Sequence, residues 1–566
     1  MKMIDFHSFL PEDPIEAKRI FNTLPAEQQL EIVLKTRGKE RIHCLFLSEH
    51  AEGLVQRLPE LEVFLTIKEV GEKDCLDLIS LTTAEQFQYL LDLEFWKKDE
   101  LNPEKILYWM ELLLESGEER VIQFIHTSGP EFIGLLLKKF LKVTTADGDP
   151  IETSDRIPAF TLDQYYFIRF KEKAARPVFI PFLQTLYRAD EEGYRRLMES
   201  LIVELDSEME EIGYRLRNAR MTDYGFPGFE EALEIYRFLN PDSLTPERGS
   251  SVSRIPGGAE KISPPFYLTF QGEASFLSSV LSRIDDPQEQ NRIKTELAAL
   301  SNKAMVAEPI DIFEIDEMKK VTQKVFHYLN LGLQYVSGEE EVKAREALQS
   351  FPLQKIFQCG VGATLLLRSK AESILKEPWF SGNRENLNFL DPPHLEKFEG
   401  VLRKRPVFCR DGIPEDFKSL QDFKETRALL EMVEAVTRFL GGKLHVYPKR
   451  LKELDQEVTL STLFLTAWAN QTLKGTFQFE PIERGQLKNL FPQIFEKDEQ
   501  GKGVIKMEIK NRLKNALCSM EADENRRFHL LAFKDFCLDL FEEECGRIRP
   551  EEEIDPRFIK GLLIRK

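Results

Sequence analysis

The side chains best placed for chemistry fall in one short stretch. Asp391 precedes His394 by three residues, and a carboxylate beside an imidazole can move a proton. Just downstream stand Arg403, Lys404, Arg405 and Arg410. They lead a charge inversion: residues 401–452 carry 12 Lys and Arg against 7 Asp and Glu, in a chain of net charge −19. The guanidinium fork suits phosphate or carboxylate, so Asp391, His394, Arg403, Lys404, Arg405 and Arg410 form the candidate anion-binding site. Its ligand would be a phosphate, a nucleotide or an acidic partner. A plainer reading stands beside this one and is favoured. Pro406 stops the helix that begins at His394, and cations at a helix C-terminus complement its dipole. Asp391 then serves only as the cap of a 394–404 helix.

Other constellations offer less. Gly360-Val361-Gly362 lacks the third glycine and the preceding strand of a phosphate-cradling loop, and reads as a packing turn between helices. His43, Cys44, Glu49 and His50 hold metal-ligating types, but His43 and His50 are two helical turns apart. The 7 cysteines show no CxxC pair and no zinc spacing. Cys537 and Cys545 stand among Phe and Leu, as inert buried thiols do. The run Glu204 to Glu211 packs five carboxylates into eight residues, and acidic triplets recur at 339–341, 542–544 and 551–553. Such runs are solvated helix faces first and divalent-cation sites second. No catalytic residue, cofactor or metal site is assigned, and the sequence leans against an enzyme.

The elements that would position these groups are helical. Residues 1 to 145 predict a run of about ten short helices, each with its own start signal. Prolines at 25, 59, 103 and 130 fall where a helix begins, and Thr82-x-x-Glu85 and Ser128-x-x-Glu131 have the capping-box pattern. Apolar stripes follow, such as Ile106, Trp109, Met110 and Leu113. Helices of ~10 residues are unstable alone and must stack, which gives an α-solenoid. Residues 146–240 predict a short hairpin around Phe160–Phe170 and a single long helix with the apolar face Tyr194 to Leu216. Residues 241–265, rich in Pro, Gly and Ser, predict a mobile linker. Helical domains follow at 266–380 and 381–566. The fold class is mainly α.

Composition narrows the function. At 566 residues, roughly two to four domains are expected. Net charge −19 argues against non-specific nucleic-acid binding and against an anionic membrane surface. No apolar run approaches the roughly 18 residues of a membrane span. Scattered cysteines and the absence of a signal peptide at Met1–Asp5 point to a cytoplasmic protein with reduced thiols.

Two resemblances are carried by specific stretches. Leu24-Pro25-Ala26-Glu27-Gln28-Gln29-Leu30 and Leu81-Thr82-Thr83-Ala84-Glu85-Gln86-Phe87 resemble the intracellular N-domain of MgtE-type magnesium transporters, which implies a superhelix of short helices over residues 1–145. The transporter's membrane part has no counterpart here, so magnesium transport is not implied. Over its full length the chain resembles a bacterial family of unknown function, through Gly225-Phe226-Pro227-Gly228-Phe229, Leu390-Asp391-Pro392-Pro393-His394, Arg403-Lys404-Arg405-Pro406 and Leu465-Thr466-Ala467-Trp468-Ala469-Asn470. That family brings no activity with it. The expectation is a protein–protein interaction scaffold or adaptor whose partner is another protein. A small-anion sensor or enzyme using residues 391–410 is the alternative, and a divalent-cation sensor the second.

Overall fold

The computed structural model describes residues 13–97, 100–146, 159–244, 275–308, 314–451, 458–497, 502–546, 548 and 559–565. The chain is mainly α and divides into two compact units. The first holds residues up to Arg237, Pro246–Phe326 and Glu341–Phe357; the second holds Phe238–Thr245, His327–Glu340 and everything from Gln358 onward. Most of the expected linker, residues 245–265, lies outside the described residues; its start, Pro241–Ser243, is one turn of 3-10 helix. Among the described residues no helix is long and apolar enough to cross a membrane.

The first unit opens with α1 (Pro14–Thr23), α2 (Ala26–Lys35), α3 (Gly38–Leu47), α4 (Ala51–Gln56), α5 (Glu60–Val70), α6 (Leu76–Ser80), α7 (Ala84–Glu94), α8 (Pro103–Glu115), α9 (Glu118–Thr127) and α10 (Pro130–Phe140). Pro103 and Pro130 sit in the first helical turn, whereas Pro25 and Pro59 occupy the cap positions just before theirs. The capping box of α7 is Thr83 with Gln86, one residue beyond the pair expected. Ser128 makes no box either, because Pro130 fixes Gly129 as the cap of α10.

Short helices leave many carbonyls unpaired at their ends, and buried polar side chains answer them. The Gln29 amide donates to the carbonyls of Phe21 and Leu24 at the end of α1 (2.9 and 3.0 Å). Gln86, at the matching place in its segment, donates to Val55 and Leu58 (2.8 and 2.7 Å). Arg41 donates to the carbonyls of Val33 and Thr36 beyond α2 and pairs with Glu62 at 2.7 Å. Arg120 reaches the Thr82 carbonyl and hydroxyl and lies over the Phe87 ring.

Past α10 the chain forms β1 (Leu141–Thr145), paired antiparallel with β2 (Tyr166–Phe170). The strand expected near 160–170 is present; its main partner is β1, and of the expected hairpin only an antiparallel bridge between Phe160 and Ile168 forms. Then come α11 (Ala175–Ala189), α12 (Glu191–Val203) and α13 (Asp206–Asp223). One long helix was expected across the last two. The chain instead breaks at Glu204 and Leu205, both extended. Lys138 of α10 secures the break by donating to the carbonyls of Leu201 and Glu204 (both 2.6 Å). Beyond it α13 lies close on α10: a Cβ on Gly213 would meet the Leu135 side chain at 2.3 Å.

In the second unit the Gly360-x-Gly362 pair is not a turn. Both glycines are inside helix Leu353–Lys376, where backbone approaches backbone. A Cβ on Gly360 would lie 2.1 Å from the Tyr328 carbonyl, and one on Gly362 2.0 Å from that of Leu239. The core of this unit surrounds helix Leu460–Lys474, buried over its first eleven residues. Its buried polar residues reach into the surrounding chain: Thr466 Oγ1 accepts from the Leu563 amide, Asn470 donates to the Glu480 carbonyl, and the Ser461 amide donates to Asp391. Ile564–Arg565 pairs in parallel with Ile482–Glu483 beside it.

Candidate functional site

The helix that starts at His394 ends at Val401, three residues before the expected 404. Gly400 explains the early stop. The Val407 amide donates back to its carbonyl at 3.1 Å, and the Val407 carbonyl and Cys409 Sγ crowd its Cα. Arg403, Lys404 and Arg405 therefore lie in a turn that leads into the hairpin Phe408–Arg410 and Ile413–Glu415. Arg403 and Lys404 are exposed. Arg410 is committed elsewhere: it pairs with Glu415 at 2.7 Å and Asp422 at 3.1 Å and lies over the Phe408 ring.

The Asp391 carboxylate and the His394 imidazole share no hydrogen bond or ion pair. The Asp391 carboxylate accepts from the Ser461 amide at 3.0 Å and from the Ser461 hydroxyl. It thus caps helix Leu460–Lys474 rather than its own; at its own helix only its carbonyl acts, accepting from His394 and Leu395. Burial raises its pKa, and the bonds to Ser461 and Thr459 pull it back. The His394 ring packs on Phe536, centroids 4.4 Å apart. Burial, helped by Lys397, pushes its pKa down to about 4.

A measurable pH dependence follows. Below the ordinary value of 6.5 the unfolded chain binds a proton at this position and the folded chain does not. Its contribution to stability is therefore full near neutrality and falls as pH drops toward 4. Between neutrality and pH ~4.5 the loss is about 2 kcal/mol. His394→Gln should remove that part of the acid sensitivity, measured by urea unfolding at the two pH values. Equal sensitivity in both proteins would refute the assignment. Asp391 acts in the opposite sense, so only the wild-type-to-variant difference isolates the histidine.

The other sequence features have local roles. Among the described residues no group of three His, Cys, Asp or Glu side chains is placed to hold a metal ion. In the Glu204–Glu211 run, Glu204 accepts from Ser200, Glu210 pairs with Lys139 and Glu211 with Arg215. Glu341 pairs with Arg283 and Arg345, and Glu544 accepts from the Lys560 and Gly561 amides. The 551–553 triplet lies outside the described residues. Burial raises the thiols of Cys44 to about 11 and Cys75 to about 12, which keeps them protonated and unreactive.

Two features of the first unit were not read from the sequence. One joins α7 to α13. Asp92, 1% exposed, takes both arms of Arg220 at 2.6 and 2.7 Å, while Arg217 donates to its carbonyl at 3.0 Å. Tyr89 and Tyr224 meet edge to face beside this pair, and Tyr224 donates to Glu60. Together with Glu85 and Asp223 they wall a cleft of about 390 Å³ that is acidic and aromatic. The partners lie 128 residues apart in the chain, so no local pattern announces them.

The other feature is an uncovered apolar stripe. Leu205, Ile212 and Leu216 are 61%, 46% and 43% exposed, and Ile202 and Val203 just before them 41% and 79%. Four of these, Ile202, Leu205, Ile212 and Leu216, belong to the face whose period predicts burial. The face is real, but only its α12 part (Tyr194, Leu197, Met198, Leu201) and Met209 are buried.

A family model matches residues 18–565; its description is a family of unknown function, DUF6178. No curated protein and no solved structure matches the chain.

Proposed function

The chain belongs to the DUF6178 family, and from that premise we propose that it is a scaffold that binds another protein through its N-terminal unit. The stripe at the end of α12 and along α13 carries this reading. Singly exposed apolar residues are ordinary, but a row at helical spacing that stays uncovered marks an interaction surface. The run of short helices α1–α10 fits the same reading, since stacked short helices offer extended surfaces for partners. The test is affinity capture from the native cell, read by mass spectrometry, with wild type and Ile212→Ser/Leu216→Ser. A protein captured in stoichiometric amount by wild type and lost with the variant supports the scaffold. Identical captures refute it at this surface.

A second reading rests on Arg403 and Lys404. Both are exposed, and neither has a carboxylate partner among the described residues. Free cations side by side suit a phosphate-bearing ligand. Phosphate or a nucleotide at one hundred times its dissociation constant should then stabilise the fold by about 3 kcal/mol, seen as a raised Tm. The rise should fade with salt and vanish in Arg403→Ala/Lys404→Ala, whose own stability should stay near wild type. An unmoved melting curve with phosphate, sulfate and nucleotides would leave these cations as helix-end electrostatics.

A further inference from the structure

We infer that the occupant of the α12–α13 stripe is a basic amphipathic helix of a partner protein, an inference that rests on the scaffold reading and narrows it.

The shape of the stripe points to a helix. Leu205, Ile212 and Leu216 are spaced by seven and four, so they form one row along a flank of α13. From Leu205 to Leu216 the row spans roughly 16 Å, about three helical turns. A partner helix with apolar residues at i, i+3, i+4 and i+7 offers the matching row.

The charge around the stripe points to a basic partner. Glu204, Glu208 and Glu211 are exposed along it. Glu208 lies one turn before Ile212 on the neighbouring row. Seven residues beyond Leu216, on the same flank, Asp223 lines the cleft with Glu85, Tyr89, Tyr224 and the Asp92–Arg220 pair, so Glu85 and Asp223 give it a net negative charge. Of the nearby cations, exposed Arg215 offsets Glu211, Arg220 pairs with Asp92, Lys139 with Glu210, and Lys138 holds helix-end carbonyls, which leaves Glu204 and Glu208 as the rim acids without an ion pair among the described residues. What faces an arriving partner is an apolar row with an acidic rim and, at its end, an acidic cleft walled by tyrosines. Lysine or arginine beside an apolar row complements the rim, and one such side chain can enter the cleft, where a cation gains from both carboxylate and ring face.

The same charges weigh against other occupants. A second copy of this chain packed stripe to stripe with its α13 parallel would set Glu204, Glu208 and Glu211 against their own equivalents. An anionic membrane surface favours helices rimmed with Lys and Arg, the reverse of this one.

The experiment uses the full chain and three labelled 18-residue model peptides, read by fluorescence anisotropy. One is an amphipathic Leu/Lys helix, one an amphipathic Leu/Glu helix, and one a Leu/Lys peptide of the same composition with the period scrambled. The Leu/Lys helix is expected to bind, the other two at least tenfold more weakly. Ile212→Ser/Leu216→Ser and Glu208→Gln/Glu211→Gln should each weaken it at least tenfold. These positions are exposed, so circular dichroism and Tm should stay as in wild type. Equal binding of Leu/Lys and Leu/Glu helices, or equal binding by wild type and both variants, overturns the proposal; the latter would be attraction to the overall negative charge. Absence of Leu/Lys binding overturns it too, as does a wild-type dimer in sedimentation velocity that Ile212→Ser dissociates, or anionic-vesicle binding that the stripe variant loses. If native capture still depends on the stripe while the peptides show no preference, the scaffold stands and the basic helix falls.

Discussion

Replacing Arg41 by methionine is expected to cost about 3–5 kcal/mol, the range for breaking a buried ion pair from one side. Arg41 and Glu62 side chains are each 3% exposed, so the substitution removes the paired cation from a carboxylate shielded from solvent. More than the pair is lost. Arg41 also donates to the carbonyls of Val33 and Thr36, which close α2, and to Thr66 Oγ1. The Val33 carbonyl keeps the Thr36 amide and hydroxyl, but the Thr36 carbonyl loses the Arg41 donor, at a cost of about 1–3 kcal/mol. The two contributions can be separated. Glu62→Leu added to Arg41→Met removes the buried charge but not the loss at the Thr36 carbonyl, so it should restore only part of the loss. Arg41→Lys should recover the ion pair but not the carbonyls, because an ammonium lacks the fork that spans both. Urea unfolding of the four proteins gives the comparison. A loss under about 1 kcal/mol for Arg41→Met, or full recovery in the double variant, would show that these bonds do not hold α2, α3 and α5 together.

The sequence is legible where the signal is local and fades where a partner comes from far along the chain. The short N-terminal helices announce themselves because proline, cap and apolar stripe all lie within a few residues of each start. Even there the cap can slip by one: Thr83 rather than Thr82 caps α7, since Thr82 is buried and held by Arg120. The break between α12 and α13 was invisible because the apolar period runs straight through it. What ends α12 is Lys138, 63 residues before Leu201, whose ammonium takes the last carbonyls. Asp391 was read as a cap and is one, but for the helix starting at Leu460, since burial brings Ser461 to it. The 403–405 basic run was legible as composition. Whether its members share a ligand depends on where Gly400 turns the chain, and close backbone approach leaves no mark in sequence beyond a glycine.

Arg220→Ala is the second large effect expected, about 3 kcal/mol, near the low end for a buried pair because a third of the guanidinium side chain reaches solvent. Asp92 is the reason for the size. It is 1% exposed, and burial already raises its pKa while Arg220 draws it down. Without Arg220 the carboxylate keeps only the Gln88 amide at 3.2 Å and the more distant field of Arg217. Its native pKa should then rise further above the unfolded value. An acid whose native pKa is raised binds its proton more tightly when folded, so stability falls as pH climbs through that window. The variant should therefore lose more stability at neutral pH than in mild acid, the opposite of His394. Asp92→Asn/Arg220→Gln should recover much of the loss and abolish the excess pH dependence, because neither buried group can then carry charge. The double-mutant cycle isolates the coupling between α7 and α13. A pH-independent loss in Arg220→Ala would mean that Asp92 is neutral in the wild type and that the pair is held by hydrogen bonds alone. A coupling well above the noise, with the pH dependence present, identifies a charged clasp that fixes α13.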